Sequence, residues 1–289
     1  MGLKVSVKRK LFQVIAFGYS NVHLLNFKGG KIYEGKWKQF CNPGLNCYSC
    51  PAASLACPIG ALQAVSGSMN FQFSFYVVGF LLAAGVLLGR FVCGWLCPFG
   101  LLQELMHKIP APKFKLKKGF LYIKYVILVV FVLTLPVAAT NYMGMGKPAF
   151  CQNICPAGML EGGIPLLLTH QELRQTIGSL FYLKTAVLIV TLGGCVLVYR
   201  FFCRTMCPLG AIYGLMNKIS LYHLEIDKNQ CVNCGKCAKV CKMEVDPVKK
   251  PDSPECIRCG ACAESCPKGA ICMGFTRSSS ERFIHKLSE

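Results

Sequence analysis

The sequence predicts an all-α membrane protein of about four transmembrane helices in two pseudo-symmetric halves, followed by a small α+β domain rich in cysteine. Three observations lead there. Hydrophobic residues make up 53% of the 289 and charged residues 16%, and mean hydropathy is positive, which is apolar for a water-soluble chain. Two stretches, Arg90–Pro110 (RFVCGWLCPFGLLQELMHKIP) and Arg200–Ser220 (RFFCRTMCPLGAIYGLMNKIS), align without a gap at an offset of 110 residues. From Leu221 onward the composition turns polar and two four-cysteine runs follow.

Taken in order, Lys4, Lys8, Arg9 and Lys10 precede the apolar stretch Leu11–Phe27, the first expected span, which Gly18, Ser20, Asn21 and His23 interrupt. No small-residue cleavage site follows, so a signal peptide fits less well. The opening MGLKVS matches the myristoylation pattern only loosely and leads straight into a span. Lys28–Asn70 reads as a polar loop containing Cys41, Cys47, Cys50 and Cys57. Phe71–Gly89 is uncharged and long enough to cross a bilayer. After the first twin and the basic segment Lys113–Lys118, Phe120–Thr140 is the third span. Asn141–Gly178 is a loop with Cys151 and Cys155, and Ser179–Tyr199 is the fourth span, where Lys184 can snorkel. Residues 1–220 thus form a transmembrane domain with repeats at about 11–110 and 120–220, and 221–289 a soluble domain.

Charge sets the orientation. Of the 32 Lys and Arg residues, 25 fall on the side of the termini and twins and 7 on the other. The positive-inside rule then makes the chain a multi-pass inner-membrane protein of a prokaryotic cell with both termini cytoplasmic. The excess over 13 acidic residues argues less for nucleic acid, because the basic residues flank apolar runs. A secreted disulfide scaffold does not suit so long and apolar a chain whose 20 cysteines keep short, metal-type spacings.

One phrase occurs four times: Cys57-Pro-Ile-Gly, Cys97-Pro-Phe-Gly, Cys155-Pro-Ala-Gly and Cys207-Pro-Leu-Gly. In three copies a cysteine stands four residues earlier (Cys93, Cys151, Cys203); in the first, Ala53 holds that place and Cys50 is nearest. Thiolates are soft ligands for iron–sulfur clusters or zinc. Proline suits the first position of a helix, whose free N–H groups favour a negatively charged cluster. Two parallel repeats bring like motifs together, so Cys93, Cys97, Cys203 and Cys207 make one inner [4Fe–4S] set. Outside, Cys57, Cys151 and Cys155 with Cys50 or Cys47 make another, leaving two thiols, Cys41 among them, for a disulfide. Alternatively Cys41, Cys47, Cys50 and Cys57 ligate alone beside a redox-active Cys151–Cys155 pair, or all six pair as disulfides.

The tail carries Cys231-x-x-Cys234-x-x-Cys237-x-x-x-Cys241, then Cys256-x-x-Cys259-x-x-Cys262-x-x-x-Cys266-Pro267. This is the two-cluster bacterial ferredoxin pattern, in which the fourth cysteine of each run serves the other cluster. One cluster would use Cys231, Cys234, Cys237 and Cys266, the other Cys256, Cys259, Cys262 and Cys241; zinc is the weaker alternative. Lys242 stands where proline is usual. Cys195 and Cys272 lack partners at ligand spacing and read as plain thiols. His23 and His170 read as structural, Trp37 and Trp95 as interface anchors, and Glu104 as solvent-facing. No nucleotide loop, zinc-protease motif or nucleophile–base set is present, so no bond-making active site is expected.

CGWLCP, CRTMCP, the four-span layout and the ferredoxin tail resemble the membrane-bound 4Fe-4S ferredoxin-type proteins across nearly the whole chain. These include the quinol-dehydrogenase membrane component of periplasmic nitrate reductase and the polyferredoxin part of the nitrous-oxide reductase regulatory protein. The outer motifs CNPGLNCYSCPAASLACPIGALQ and CQNICPAGM depart from the first type. The second implies an extracytoplasmic flavin-binding partner. The expected function is transmembrane electron transfer through [4Fe–4S] clusters, from an acidic cytoplasmic ferredoxin or flavodoxin to an extracytoplasmic flavoprotein or reductase, with a quinone or flavin in a partner or between the cluster layers. The alternatives are a quinol dehydrogenase component and a metalloenzyme maturation or redox-sensing protein.

Overall fold

A computed structural model describes residues 5–67, 75–139 and 146–275, the side chains of Leu173 and Thr176 excepted. It is mostly helical. The helices Lys118–Ala138 and Ser179–Leu197 are long and apolar enough to cross a membrane. At 1.5 Å per residue they measure about 31 and 28 Å, against a hydrocarbon core of about 30 Å. Val126, Val129, Ile189 and Val190 on them are exposed, an apolar girdle that lipid suits and water does not. The Phe75–Leu88 helix is apolar but its described part has 14 residues. Residues 71–74 and Thr140, read above as span ends, lie outside the described residues.

The first apolar stretch departs from the expected Leu11–Phe27 span. The helix is Val5–Ser20, and a turn follows before a short helix at Asn26–Gly29. Arg9 and Gln13 are buried on it, and Gln13 donates to the Gly94 carbonyl at 3.0 Å. Polar residues within the segment thus face protein, which is how such residues are tolerated at membrane depth. Two regions read as loops are partly helical: Pro58–Ser66 follows Cys57, and helical turns cover 156–169 after Cys155.

The twins repeat closely. Phe91–Trp95 and Pro98–Met106 recur as Phe201–Thr205 and Pro208–Met216, each boundary shifted by 110. One continuous core runs from Cys41, Leu45 and Cys57 of the outer loop through Tyr213 to Cys93, Cys97 and Cys207. In the tail, β1 (His223–Ile226) pairs antiparallel with β2 (Ile271–Gly274), His223 opposite Gly274 and Ile226 opposite Ile271. The short helices Lys236–Val240 and Ala261–Ser265 lie between them in sequence.

Glu104, expected in solvent, is buried. Its carboxylate accepts from Arg9 at 2.6 and 2.8 Å and from Arg200 Nε at 2.9 Å and Nη2 at 2.5 Å. The Val5–Ser20 helix packs on Pro98–Met106 and brings Arg9 to the face that the twin's Arg200 also reaches. Burial opposes ionisation, but Arg200 and Arg9 hold the Glu104 carboxyl below the usual carboxylate range. Its stabilisation is therefore present above about pH 4.3, the ordinary glutamate value, and is lost as pH falls through the lowered one. Removing one partner of a buried pair typically costs about 3–5 kcal/mol. Glu104→Ala should destabilise the protein by that order in detergent unfolding, whereas a loss under about 1 kcal/mol would mean that the pair behaves as a surface contact.

Candidate metal centres

Each Cys-Pro-x-Gly phrase folds the same way. Cys57, Cys97, Cys155 and Cys207 are extended N-cap residues (ψ 125°, 116°, 112° and 113°), and proline takes the first helical turn. The backbone N–H three residues on turns toward each sulfur, as Gly210 N donates to Cys207 Sγ at 3.4 Å; Gly60, Gly100 and Gly158 act likewise. The glycine also leaves room for the opposite half. A Cβ on Gly100 would meet the Arg200 guanidinium, and one on Gly210 that of Arg90.

The inner set is Cys93, Cys97, Cys203 and Cys207, all buried and within electrostatic reach of one another. Burial pushes Cys93 up to about 11 and Cys97 up to about 12, the latter reinforced by Cys203 and Cys93. Metal must displace a proton from such thiols, so loading releases protons. Two buried arginines lock the set across the pseudo-twofold. Arg200 Nη1 donates to the Cys93 carbonyl at 2.5 Å, and Arg90 Nη2 to the Cys203 carbonyl at 2.7 Å.

In the outer loops, burial raises Cys155 well above its usual value, and Cys151, Cys47 and Cys57 add to the shift. These four lie together. Cys50 packs with Ala52, Ala53 and Cys47, and Cys41, whose backbone bridges to Ala56, lies within electrostatic reach of Cys57. Glu161 Oε2 accepts from Cys47 N at 2.7 Å, and burial pushes its carboxyl up to about 7. Tyr213 is fully buried: its hydroxyl donates to the Pro43 carbonyl at 3.1 Å and lies within electrostatic range of Cys93, Cys97, Cys41 and Cys57.

The tail holds two small clefts. Cys231, Cys234, Cys237 and Cys266 line the first, and Cys241, Cys256, Cys259 and Cys262 the second. The fourth cysteine of each run therefore crosses to the other cavity. Gly235 and Gly260 start the intervening helices at φ +67° and +82°, a conformation that glycine adopts without strain.

A single tetrahedral ion needs its sulfurs about 2.3 Å away. Among the described residues no three His, Cys, Asp or Glu side chains gather to hold one ion; in the tail the sulfurs instead ring cavities, the arrangement that a multi-iron cluster suits. Orphaned cationic atoms agree. Buried Arg204 Nε and Nη1 and Arg90 Nε have no hydrogen-bond partner, and these side chains lie within reach of Cys241 and of Cys93 and Cys203 respectively. An anionic sulfur cluster would supply the missing acceptors.

The tail docks through Glu255, which accepts from Arg90 at 2.8 Å and pairs with Lys124. Burial opposes its ionisation, but Arg90 and Lys124 hold its carboxyl below the usual range. Trp95, expected at a lipid interface, donates to the Arg258 carbonyl at 3.0 Å, because its twin turn faces the tail. Lys242, the departure from the ferredoxin pattern, lies over the Tyr199 ring at 5.5 Å. His23 stacks on Tyr33 at 3.9 Å, and His170 Nε2 lies 3.2 Å from the Phe27 carbonyl.

Sequence reasoning missed a set of four residues, each six positions after a Cys-Pro cysteine: Gln63, Gln103, Glu161 and Tyr213. Extending the fourfold alignment by three residues would have shown them. It also passed over Arg90 and Arg200, whose place just before each twin motif was visible.

The fold and its cysteine sets define an iron–sulfur electron-transport protein of ferredoxin type. A family profile described as 4Fe-4S binding domain matches residues 70–117, 125–165 and 185–225, three of the four Cys-Pro-x-Gly copies, and a second with the same description matches 250–272. The chain is 30% identical over 205 residues to the uncharacterized protein MJ0749 of Methanocaldococcus jannaschii, covering 67% of this chain and 68% of that one. It is 28% identical to Regulatory protein NosR of Stutzerimonas stutzeri over 58% of this chain and 22% of that protein. With the methylamine utilization ferredoxin-type protein MauN of Methylobacillus flagellatus it shares 26% identity, over 64% and 60%. The chain thus belongs to the family of 4Fe-4S ferredoxin-type electron transport proteins. No solved structure matches it.

Glu255→Ala should leave Arg90 and Lys124 uncompensated and loosen the tail. Limited proteolysis should then cut within residues 221–275 at least several-fold faster, with the helices before Leu221 still protected. An unchanged cutting rate would mean that other contacts hold the tail.

Proposed function

We propose that the chain is a transmembrane electron conduit, with a four-span domain (residues 1–220) in two parallel repeats and a cytoplasmic two-cluster domain (221–289). Cys231, Cys234, Cys237 and Cys266 would hold one [4Fe–4S] cluster, and Cys241, Cys256, Cys259 and Cys262 a second. Cys93, Cys97, Cys203 and Cys207 would hold a third at the inner face, and Cys47, Cys57, Cys151 and Cys155 a fourth in the outer loops. A bound cluster of this kind takes up and gives out one electron at a time.

The observation that carries this reading is the continuity of the four sets. Asn217 Nδ2 donates to the Cys256 carbonyl at 2.9 Å, and its Oδ1 accepts from Arg90 N at 2.8 Å. Arg90 in turn holds the Cys203 carbonyl, and Tyr213 fills the space between inner and outer layers. The described part of the first helix is Val5–Ser20. At its end Ser20 meets the outer loop, its Oγ accepting from Asn42 at 3.1 Å and its carbonyl from Asn46 at 3.2 Å. A Cβ on Gly44 of that loop would strike the Cys97 backbone, so the outer loop and the inner motif are in contact.

Lys236 and Lys268 rim the first tail cavity and are exposed, a face that fits a small acidic donor such as ferredoxin or flavodoxin. On the far side, an extracytoplasmic flavoprotein or reductase would take the electrons. One observation favours a second reading, a quinol dehydrogenase. A cavity of about 580 Å³ lined by Tyr19, His23, Tyr33 and Trp37 with Val22, Ser54 and Leu55 opens beside the outer loop, and a quinone ring would suit its aromatic walls.

Proteoliposomes that enclose an impermeant acceptor test the choice. Reduced ferredoxin added outside should drive acceptor reduction that weakens as salt rises and slows at least tenfold in Tyr213→Ala. Flux independent of salt would remove the acidic donor, and cluster reduction by a menaquinol or ubiquinol alone would favour the second reading.

A further inference from the structure

The four residues at the sixth position after each Cys-Pro cysteine do different chemistry. In the second half Glu161 accepts from Cys47 N and Tyr213 donates to Pro43 O. In the first half both are glutamines, and both reach a cysteine sulfur of the second half. Gln63 Nε2 donates to Cys151 Sγ at 3.1 Å, and Gln103 Nε2 to Cys203 Sγ at 3.0 Å. One side-chain amide therefore addresses one sulfur in each layer, from equivalent places in two motifs 40 residues apart.

Each amide is oriented by its surroundings. Gln63 Oε1 accepts from Phe150 N at 2.9 Å, and Gln103 Oε1 from Cys203 N at 3.3 Å. A backbone N–H can meet only the oxygen end, so the NH2 group must face the sulfur and the carbonyl one helical turn back (Ile59, 3.2 Å; Phe99, 3.3 Å). Both glutamines are fully buried, at 0% and 1% exposure, so water does not compete for the sulfur. The low local dielectric makes the amide dipole count for more than it would at a surface.

We propose that Gln63 and Gln103 are positioning residues that raise the reduction potentials of the outer and inner centres. The inference rests on the cluster reading of those two sets. Reduction adds one negative charge to a centre, and an N–H aimed at a ligand sulfur stabilises the more negative state. Both oxidation states accept the bond, and its strengthening on reduction is what moves the potential; a tenfold change in the reduced-to-oxidised ratio at fixed potential corresponds to about 59 mV for a one-electron couple. In the tail the Asn233 amide meets Cys231 Sγ through its oxygen, at 3.7 Å, and so offers that sulfur no N–H; the two layers would be shifted relative to the tail.

The test is an EPR-monitored redox titration of the full-length protein purified anaerobically in detergent. Gln103→Leu should move the inner centre to lower potential by about that amount and leave the outer and tail centres in place. Gln63→Leu should move the outer centre alone. Because leucine leaves Phe150 N or Cys203 N unpaired, Gln103→Glu and Gln63→Glu serve as second variants. They keep an oxygen for that N–H, lose the donor, and should shift the same centre in the same direction. Deuterium-exchange ENDOR should show one fewer exchangeable proton coupled to the affected centre in the leucine variants. Centres that are present but do not move in any variant would overturn the proposal alone. A set that binds no iron in the wild type would overturn it together with the cluster reading of that set.

Discussion

The structure depends on two guanidinium groups that cross from one half to the other beneath the inner cysteines. Arg200 holds the Cys93 carbonyl and Arg90 the Cys203 carbonyl, so each Cys-x-x-x-Cys turn is fixed by the opposite repeat. Neither arginine is exposed, and a charge taken out of water must be compensated. The first half supplies Glu104 for Arg200. The second half has no equivalent: the residue 110 positions on is Gly214, where a side chain would run into the Pro254 carbonyl. The tail fills that gap with Glu255. Its docking is therefore electrostatically required, and it brings Cys256, the residue after Glu255, next to the membrane part.

The same economy of charge explains how the polar, cysteine-rich backbone of the loop can be packed inside protein. Asn42, Asn46 and Ser54 of the outer loop are buried, and their hydrogen bonds go to the end of the Val5–Ser20 helix. Irregular backbone at membrane depth is tolerated only inside protein. A Cβ on Gly44 would strike the Cys97 backbone, so the outer loop rests directly on the inner motif. Tyr213 of the second twin, fully buried, ties the same loop to the motif by donating to the Pro43 carbonyl at 3.1 Å. Several of the basic residues counted toward the expected orientation are internal: Arg90, Arg200, Arg204, Arg258 and Lys124 are fully buried.

Much of this was legible in the sequence because the repeats are literal. The offset of 110, the Cys-Pro-x-Gly phrase and the ferredoxin spacing are local patterns with local causes, a helix N-cap and a tight glycine turn. Glu104 and Trp95 were misread because their environment comes from partners about 90 to 160 residues away, Arg9 and Arg200 for one and Arg258 for the other. Periodicity reports a helix face but not what covers it. The first span was misplaced for a related reason: Ser20 and Asn21 look like interruptions of an apolar run, whereas they are the polar end on which the outer loop is built. Whether Cys47 or Cys50 stands beside Cys57, Cys151 and Cys155 depends on how that loop folds back, which spacing alone leaves open.

The central claim is that sulfur-held iron occupies both layers of the membrane part as well as the tail. Iron and acid-labile sulfide determination with EPR spin quantification on the anaerobically purified chain tests it most directly. About four [4Fe–4S] centres per chain are expected, two of them lost when Cys203 and Cys151 are both replaced by serine. Two centres confined to the tail, unaffected by those replacements, would contradict it.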